Sequence, residues 1–308
     1  MLFFFRSNKI FILTNLAPIC LFVYNRLDET IATINSLNNC ELSSISDLYI
    51  FSDGPKNSND YIKVCEVRSF LNSINGFKNI VVYSSDVNLG LSKSVISGVD
   101  KIISIHKKVI VLEDDLVLSK DFLVFMNSCL DFYLNNDKVF NVSGYSFNIS
   151  IPFYNFDNTF TNRPMSWGWA TWLNRWNLID WNLDNYNVCD IKALKNDFNK
   201  GGSDLTKMLI DWKEGRNNSW AIRYAFNCFL LNKLDTCPVI SKVENIGFNN
   251  NATHTNRKSF RYNISLSKFS KKNFRLRNDV KLPILYNLFF RFNNSILIRI
   301  IDKIINYV

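Results

Sequence analysis

Histidine, proline and glycine are all scarce in this 308-residue chain, with 2, 6 and 10 copies. Two histidines, His106 and His254, cannot supply a zinc site built on several imidazoles. The few glycines and prolines, beside 47% hydrophobic and 15% aromatic residues, exclude a collagenous or disordered chain. That composition leaves ample material for a packed core. The seven cysteines are odd in number and form no Cys-x-x-Cys pair, so no disulfide framework is encoded. Such thiols are expected to be reduced and mostly buried, as in a cytosol. Long apolar runs are missing too. Leu2–Phe5 and Ile10–Leu13 are interrupted by Arg6, Asn8 and Lys9, and no run approaches the roughly 20 residues that span a bilayer. Residues 1–16 are expected to be a lead-in. No G-x-G-x-x-G follows the first apolar run and no G-x-x-x-x-G-K-[ST] occurs, which disfavours dinucleotide and P-loop sites.

The net charge of +9 is unevenly placed. Thr255–Val308 holds twelve Lys+Arg against Asp279 and Asp302, a net of +10, while residues 1–254 sum to −1. A neutral body without a recognised module argues against nucleic acid. A basic tail points to an anionic partner or a membrane face.

Four short apolar runs alternate with helical patterns: Ala17–Tyr24, Leu48–Phe51, Ile80–Tyr83 and Val109–Leu112. This order predicts an α/β fold with a mostly parallel sheet covered on both faces. Each run ends in a polar cluster: Asn25-Arg26, Asp53-Gly54, Asn88–Gly90 after the third, and Glu113–Asp115. Ligands of open α/β sheets bind beyond the carboxyl ends of the strands. Three consecutive acids repel one another unless a cation sits among them. Carboxylate oxygens suit hard ions such as Mn²⁺ or Mg²⁺, which commonly also hold substrate phosphates.

Asp53-Gly54, Asn88-Leu-Gly-Leu and Val111-Leu-Glu-Asp-Asp115 resemble nucleotide-sugar glycosyltransferases of the GT-A type. The similarity is greatest to bacterial family-2-like enzymes of surface-polysaccharide synthesis, and more distant to the N-acetylglucosaminyltransferase I group. Ser166-Trp-Gly-Trp-Ala-Thr-Trp172, Ser219-Trp-Ala-Ile-Arg223, Asn245-Ile-Gly-Phe248 and Ala252-Thr-His-Thr255 resemble later blocks of the bacterial family, in the same order. The resemblance covers residues 17–255. It implies a metal-dependent hexosyl- or N-acetylhexosaminyltransferase that uses a nucleoside-diphosphate sugar, with UDP as the nucleotide. Arg26, Asp53, Asn88, Gly90 and Lys93 would line the nucleotide pocket. Glu113 would face the donor sugar, Asp114 the ribose, and Asp115 the metal, with His254 completing the metal or diphosphate site. The acceptor would be a surface polysaccharide or a lipid-linked glycan.

Trp167, Gly168 and Trp169 are expected to contact a sugar, because a glycine between two tryptophans can lay an aromatic face beneath one. Trp172 and Trp176 have helical spacing and read as core. Trp220 and Arg223 are further substrate contacts. An inverting transfer needs a carboxylate to take the acceptor's proton. The block at Trp220 is preceded by Asn217-Asn218-Ser219, which offers none, so Asp211 and Glu214 are the base candidates. A sugar nucleotidyltransferase and an inactive membrane-bound scaffold remain as alternatives. The first normally carries a glycine-rich basic loop that Tyr24-Asn25-Arg26-Leu27 does not provide.

The domain division expected is a lead-in at 1–16, a transferase domain at 17–254 (nucleotide-sugar half 17–118, acceptor half 119–254) and a tail at 255–308. Leu285, Phe289, Phe292, Ile296, Ile300 and Ile304 give the tail the amphipathic pattern of an interfacial helix. With the basic run at 257–281, this predicts peripheral attachment to the inner face of the cell membrane.

Overall fold

The computed structural model of the chain describes residues 15–149, 152–247, 262, 264, 266–267 and 269–307. The lead-in up to residue 14 and His254 lie outside these. The four apolar runs become β1 (Ile19–Val23), β2 (Asp47–Ser52), β3 (Asn79–Ser84) and β4 (Lys108–Glu113), separated by α1 (Leu27–Asn38), α2 (Ser58–Leu71) and α3 (Leu91–His106). There follow β5 (Leu116–Leu118), α4 (Phe122–Phe132), β6 (Val139–Ser143), β7 (Asn158–Thr161), β8 (Trp169–Trp172) and α5 (Leu173–Trp176). Then come α6 (Val188–Ala193), α7 (Lys195–Phe198), α8 (Leu205–Lys213), α9 (Trp220–Leu230), β9 (Leu234–Pro238) and β10 (Val243–Asn245), and finally α10 (Ile284–Asn293) and α11 (Ile296–Tyr307).

The main sheet has eight strands in the order β3-β2-β1-β4-β8-β6-β9-β7. Six share one direction; β8 and β7 oppose it. The mostly parallel α/β architecture expected from the apolar runs is therefore the one found. Leu37 of α1, Val67 of α2 and Phe125 of α4 cover one face, and Val95 and Ile102 of α3 and Tyr224 of α9 cover the other. β1 is buried throughout, as a continuous apolar run between two helical layers must be. β3 was read the same way, yet it lies at the sheet edge and Val81 and Val82 are partly exposed.

After β3 the chain crosses back over β2 and β1 to lay down β4. Connections therefore diverge between β1 and β4, which makes their carboxyl ends the switch point where such sheets open a crevice. A two-stranded sheet of β5 and β10, paired Leu116↔Asn245, then brings residues 245–247 to that same edge.

Described residues of the tail pack against the body. Phe274, Leu276, Val280 and Leu282 pack on the main core. The Tyr133 hydroxyl donates to Arg277 O at 2.6 Å, and Arg275 and Asp157 exchange N–H bonds at 2.9 Å. Two lysines of the basic run have local partners, Lys271 on Asp157 at 2.6 Å and Lys281 on Asp279. The strap is also tied to a buried pair. Lys242 Nζ lies 2.7 Å from Asp121 Oδ2, which accepts Lys271 N–H at 3.2 Å. Removing one partner of such a pair strands the other in a low dielectric. Asp121→Ala should therefore lower stability by about 3–5 kcal/mol in urea unfolding; a loss below about 1 kcal/mol, the scale of an exposed pair, would contradict the strap's anchoring role.

Candidate functional site

Arg26 lies just past the end of β1, and Glu113 closes β4, its parallel neighbour, with Asp114 and Asp115 next. Adjacent strand ends thus put a cation among the acids. The Arg26 guanidinium pairs with Asp114 and lies 3.0 Å from Asp115 Oδ2. Asp114 and Asp115 are 4% and 8% exposed, so these are largely desolvated charges. One arginine cannot balance three carboxylates. Burial, then Asp115 and Asp114, push the Glu113 carboxyl up to about 8, with Arg26 opposing. Burial pushes Asp114 up to about 6 against the pull of Arg26. Asp115 is raised for the same reason.

The small sheet delivers the Asn245-Ile-Gly segment to this cluster. Ile246 N donates to Asp115 O at 2.8 Å, and Asn245 Nδ2 lies 3.5 Å from Asp115 Oδ1. A Cβ on Gly247 would run into the Asp115 carboxylate, and would come within 3.1 Å of Arg26 Nη1, so only glycine allows this approach.

Asp53, at the end of β2, is an organising group. Its Oδ1 accepts from Gly54 N at 2.9 Å and Leu89 N at 2.8 Å, and its Oδ2 from Gly90 N at 2.9 Å and Asn88 Nδ2 at 3.2 Å. Four donors fill a carboxylate's four lone-pair sites. The Asn88–Gly90 turn is thereby fixed to the end of β2, while Lys93 stands exposed in the first turn of α3. Arg68, which the sequence reading missed, ties the ends of β2 and β3 together. It donates to Ser52 Oγ at 3.1 Å, Asp53 O at 3.2 Å and Ser85 O at 2.6 Å. Its signal in the sequence was only a polar residue in a weakly amphipathic helix.

β8 runs antiparallel to β4, and beyond the pair Val111↔Trp169 it brings Gly168 beside Leu112, next to the acids. Trp167 is half-buried against Tyr145 and Tyr262, with ring centroids 4.6 Å and 5.0 Å away. A cavity of about 200 Å³ opens here, between Trp167, Met165, Arg163 and the start of α8.

Several expected contacts lie elsewhere. Trp169 is 1% exposed, stacked among Trp176, Trp220 and Tyr224, so it is core and not a sugar platform. Trp220 belongs to the same stack at 4% exposure. Arg223 spans α9 and α3, donating to Ser92 Oγ at 2.5 Å and Trp181 O at 3.0 Å beneath the Trp181 and Trp212 rings. That makes it a packing element. Asp211 is held by Lys207 and Arg216, each at 2.5 Å, and these donors depress its carboxyl. Glu214 pairs with the same Arg216. Through these pairs Asp211 and Glu214 clamp the end of α8.

Among the described residues no group of three or more His, Cys, Asp or Glu side chains is arranged to hold a metal. The donor chemistry still fits an ion carried in with a diphosphate, because Mg²⁺-like ions often take one or two carboxylates plus substrate oxygens. Asp115 can supply one carboxylate if Arg26 withdraws to Asp114, and the excess of acid over base favours an added cation.

An open, mostly parallel α/β sheet with a charged crevice at its switch point is the class that fold and site define. No family profile matches the sequence, and no curated protein does. The chain is similar in structure to S. aureus TarS (residues 1–349), at 11% identity over 75% of this chain and 61% of that one, with a TM-score of 0.41. It is similar to the mannosyltransferase PcManGT from Pyrobaculum calidifontis, solved with GDP-Man and Mn²⁺, at 10% identity over 53% and 46%, TM-score 0.36. Streptococcus pneumoniae GlyE, a glycosyltransferase, gives 12% over 72% and 45%, TM-score 0.34. The matched part spans less than two thirds of each of those chains.

The acid cluster has a measurable signature. From about pH 4, where unfolded carboxyls titrate, up to about 6 for Asp114 and about 8 for Glu113, the folded chain holds protons that the unfolded chain has released. Stability without metal should therefore fall as pH rises through that window, and Glu113→Gln should flatten the fall. Thermal unfolding across pH checks this; a stability that rose with pH there would contradict the arrangement.

Proposed function

We propose that the chain is a metal-dependent glycosyltransferase of the GT-A type, moving a sugar from a nucleoside-diphosphate donor, with UDP as the nucleotide, to a surface-glycan acceptor. The observation that carries this is the convergence of Arg26, Asp53, Asn88–Gly90 and Glu113–Asp115 on one sheet edge, with Trp167-Gly168 alongside. The Asp53-fixed turn would frame the base, Arg26 and Asp114 would meet the ribose and diphosphate, and Glu113 would face the donor sugar. Asp115 would hold the divalent ion, with His254 as its partner. The ion supplies charge neutralisation on the departing diphosphate, the main electrostatic demand of the transfer.

The C-terminal helices would attach the enzyme to the inner face of the membrane. No helix among the described residues is long and apolar enough to cross one. α10 and α11 nevertheless expose Leu285, Leu288, Phe292, Ile296, Ile300 and Ile304, flanked by exposed Arg291 and Lys303. The inactive-scaffold reading draws on the clamped Asp211 and Glu214, and one assay separates the two. With a panel of nucleotide sugars and Mn²⁺, one donor should be hydrolysed, and Asp115→Ala should slow it about 100-fold or more. Failure of every donor, or a rate indifferent to both Asp115→Ala and EDTA, would overturn the transferase.

A further inference from the structure

The two edges of the main sheet differ. β7, at one edge, is buried throughout and overlaid by the strap, where Arg277 N donates to Asn158 Oδ1 at 2.8 Å and Asp157 N to Arg275 O at 2.9 Å. β3, at the other edge, has four of its six residues exposed, and among the described residues no strand pairs with its outer side. Exposed edges are normally blunted by a charge, a proline or a bulge. Ile80-Val-Val-Tyr83 carries none of these, and its register with β2 is unbroken from Asn79 to Ser84.

The ladder shows which backbone groups are left over. Ser85 N donates to Ser52 O at 2.9 Å and Asp53 N to Val23 O at 3.1 Å, so even-numbered residues of β2 bond to β3 and odd-numbered ones to β1. Counted back through the register, Asn79, Val81 and Tyr83 are turned to β2, whereas Ile80 and Val82 direct their N–H and C=O groups off the sheet.

Side chains add an apolar middle and two charged ends. Val81 and Val82 are 36% and 38% exposed at mid-strand. At the carboxyl end, Lys101 of α3 lies over the Tyr83 ring at 3.7 Å, and Ile105, one helical turn on, is 67% exposed. Asp86 stands exposed just past Ser84. At the amino end, Asn79 Nδ2 donates to Asp47 Oδ1 at 2.6 Å, and Lys78 Nζ lies 3.7 Å from the same oxygen. Asp47 is on the α3 face of the sheet, two residues before Tyr49, whose hydroxyl is 3.0 Å from His106 Nε2 at the end of α3.

We infer that β3 is a self-association edge, pairing antiparallel with β3 of a second copy about a two-fold axis near Val81 and Val82. The Ile80 and Val82 backbone groups then bond across the axis, and the two main sheets become one. The antiparallel order brings the Asp47–Lys78 end of each copy against the Lys101–Asp86 end of the other. Asp47 meets Lys101 and Lys78 meets Asp86, so each end collects two charges of each sign. A parallel pairing would instead set Asp47 beside Asp47 and Lys101 beside Lys101, which like charges disfavour. Two-fold symmetry repeats every such pair. The inference is independent of the transferase reading.

Light scattering of the full chain across a dilution series, with amide exchange beside it, tests this edge. The mass should rise from one chain to two with concentration, and the Ile80 and Val82 amides should exchange several-fold more slowly in the dimer. Val82→Pro removes an outward N–H that β2 does not use and should leave a folded monomer. Lys101→Asp should weaken the dimer about tenfold, and Asp47→Lys combined with Lys101→Asp should restore it. Should Val82→Pro fail to fold, the charge reversals decide alone. A single-chain mass up to about 1 mM, where even weak contacts associate, would overturn the inference. So would a dimer that Val82→Pro leaves intact, which would point to the apolar face of α10 and α11, or a double reversal no tighter than Lys101→Asp.

Discussion

The arrangement of this molecule depends on one interaction, the pairing of Arg26 with Asp114 and Asp115 across the ends of two adjacent parallel strands. Three consecutive carboxylates at the end of a buried strand would otherwise repel one another at low dielectric. Arg26 makes the cluster tolerable without neutralising it, and the remaining negative charge suits an added cation. The main-sheet topology supplies the juxtaposition, because the chain must cross back from β3 to β4 and so leaves β1 and β4 as neighbours with diverging connections.

Two further restraints give the crevice its shape. Asp53 uses all its lone pairs on the Asn88–Gly90 turn and Gly54, so this flank of the crevice is fixed by the protein alone. On the other side the β5–β10 pair brings Gly247 against Asp115. A site held from both flanks by backbone hydrogen bonds meets the geometric demand of electrostatic catalysis, which rewards groups that need not move.

Much of the parallel half of the sheet was legible in the sequence, since buried parallel strands require unbroken apolar runs and each run here ends in a polar cluster. The same rule misplaced β3, because an edge strand and a central one carry the same residues when only neighbouring strands decide exposure. Trp169, Trp220 and Arg223 read as ligand contacts because their types suit sugars and phosphates. In the folded chain the tryptophans stack on one another and the arginine lies beneath Trp181 and Trp212, contacts that sequence spacing does not encode. The basic tail read as one amphipathic helix on a charged linker. The linker's Phe274 and Leu276 instead pack on the core, and the helix breaks at Asn294-Ser295, where the Asn294 carbonyl accepts from Ser203.

The central claim is that the Arg26–Asp115 crevice receives a nucleoside diphosphate together with a divalent ion. Calorimetric titration of the chain with UDP, with Mn²⁺ and with EDTA, tests it most directly. The account predicts tight binding only with Mn²⁺, and loss of the metal-dependent part in Asp115→Asn. Equal UDP affinity in Mn²⁺ and EDTA, or an unchanged metal dependence in Asp115→Asn, would contradict it.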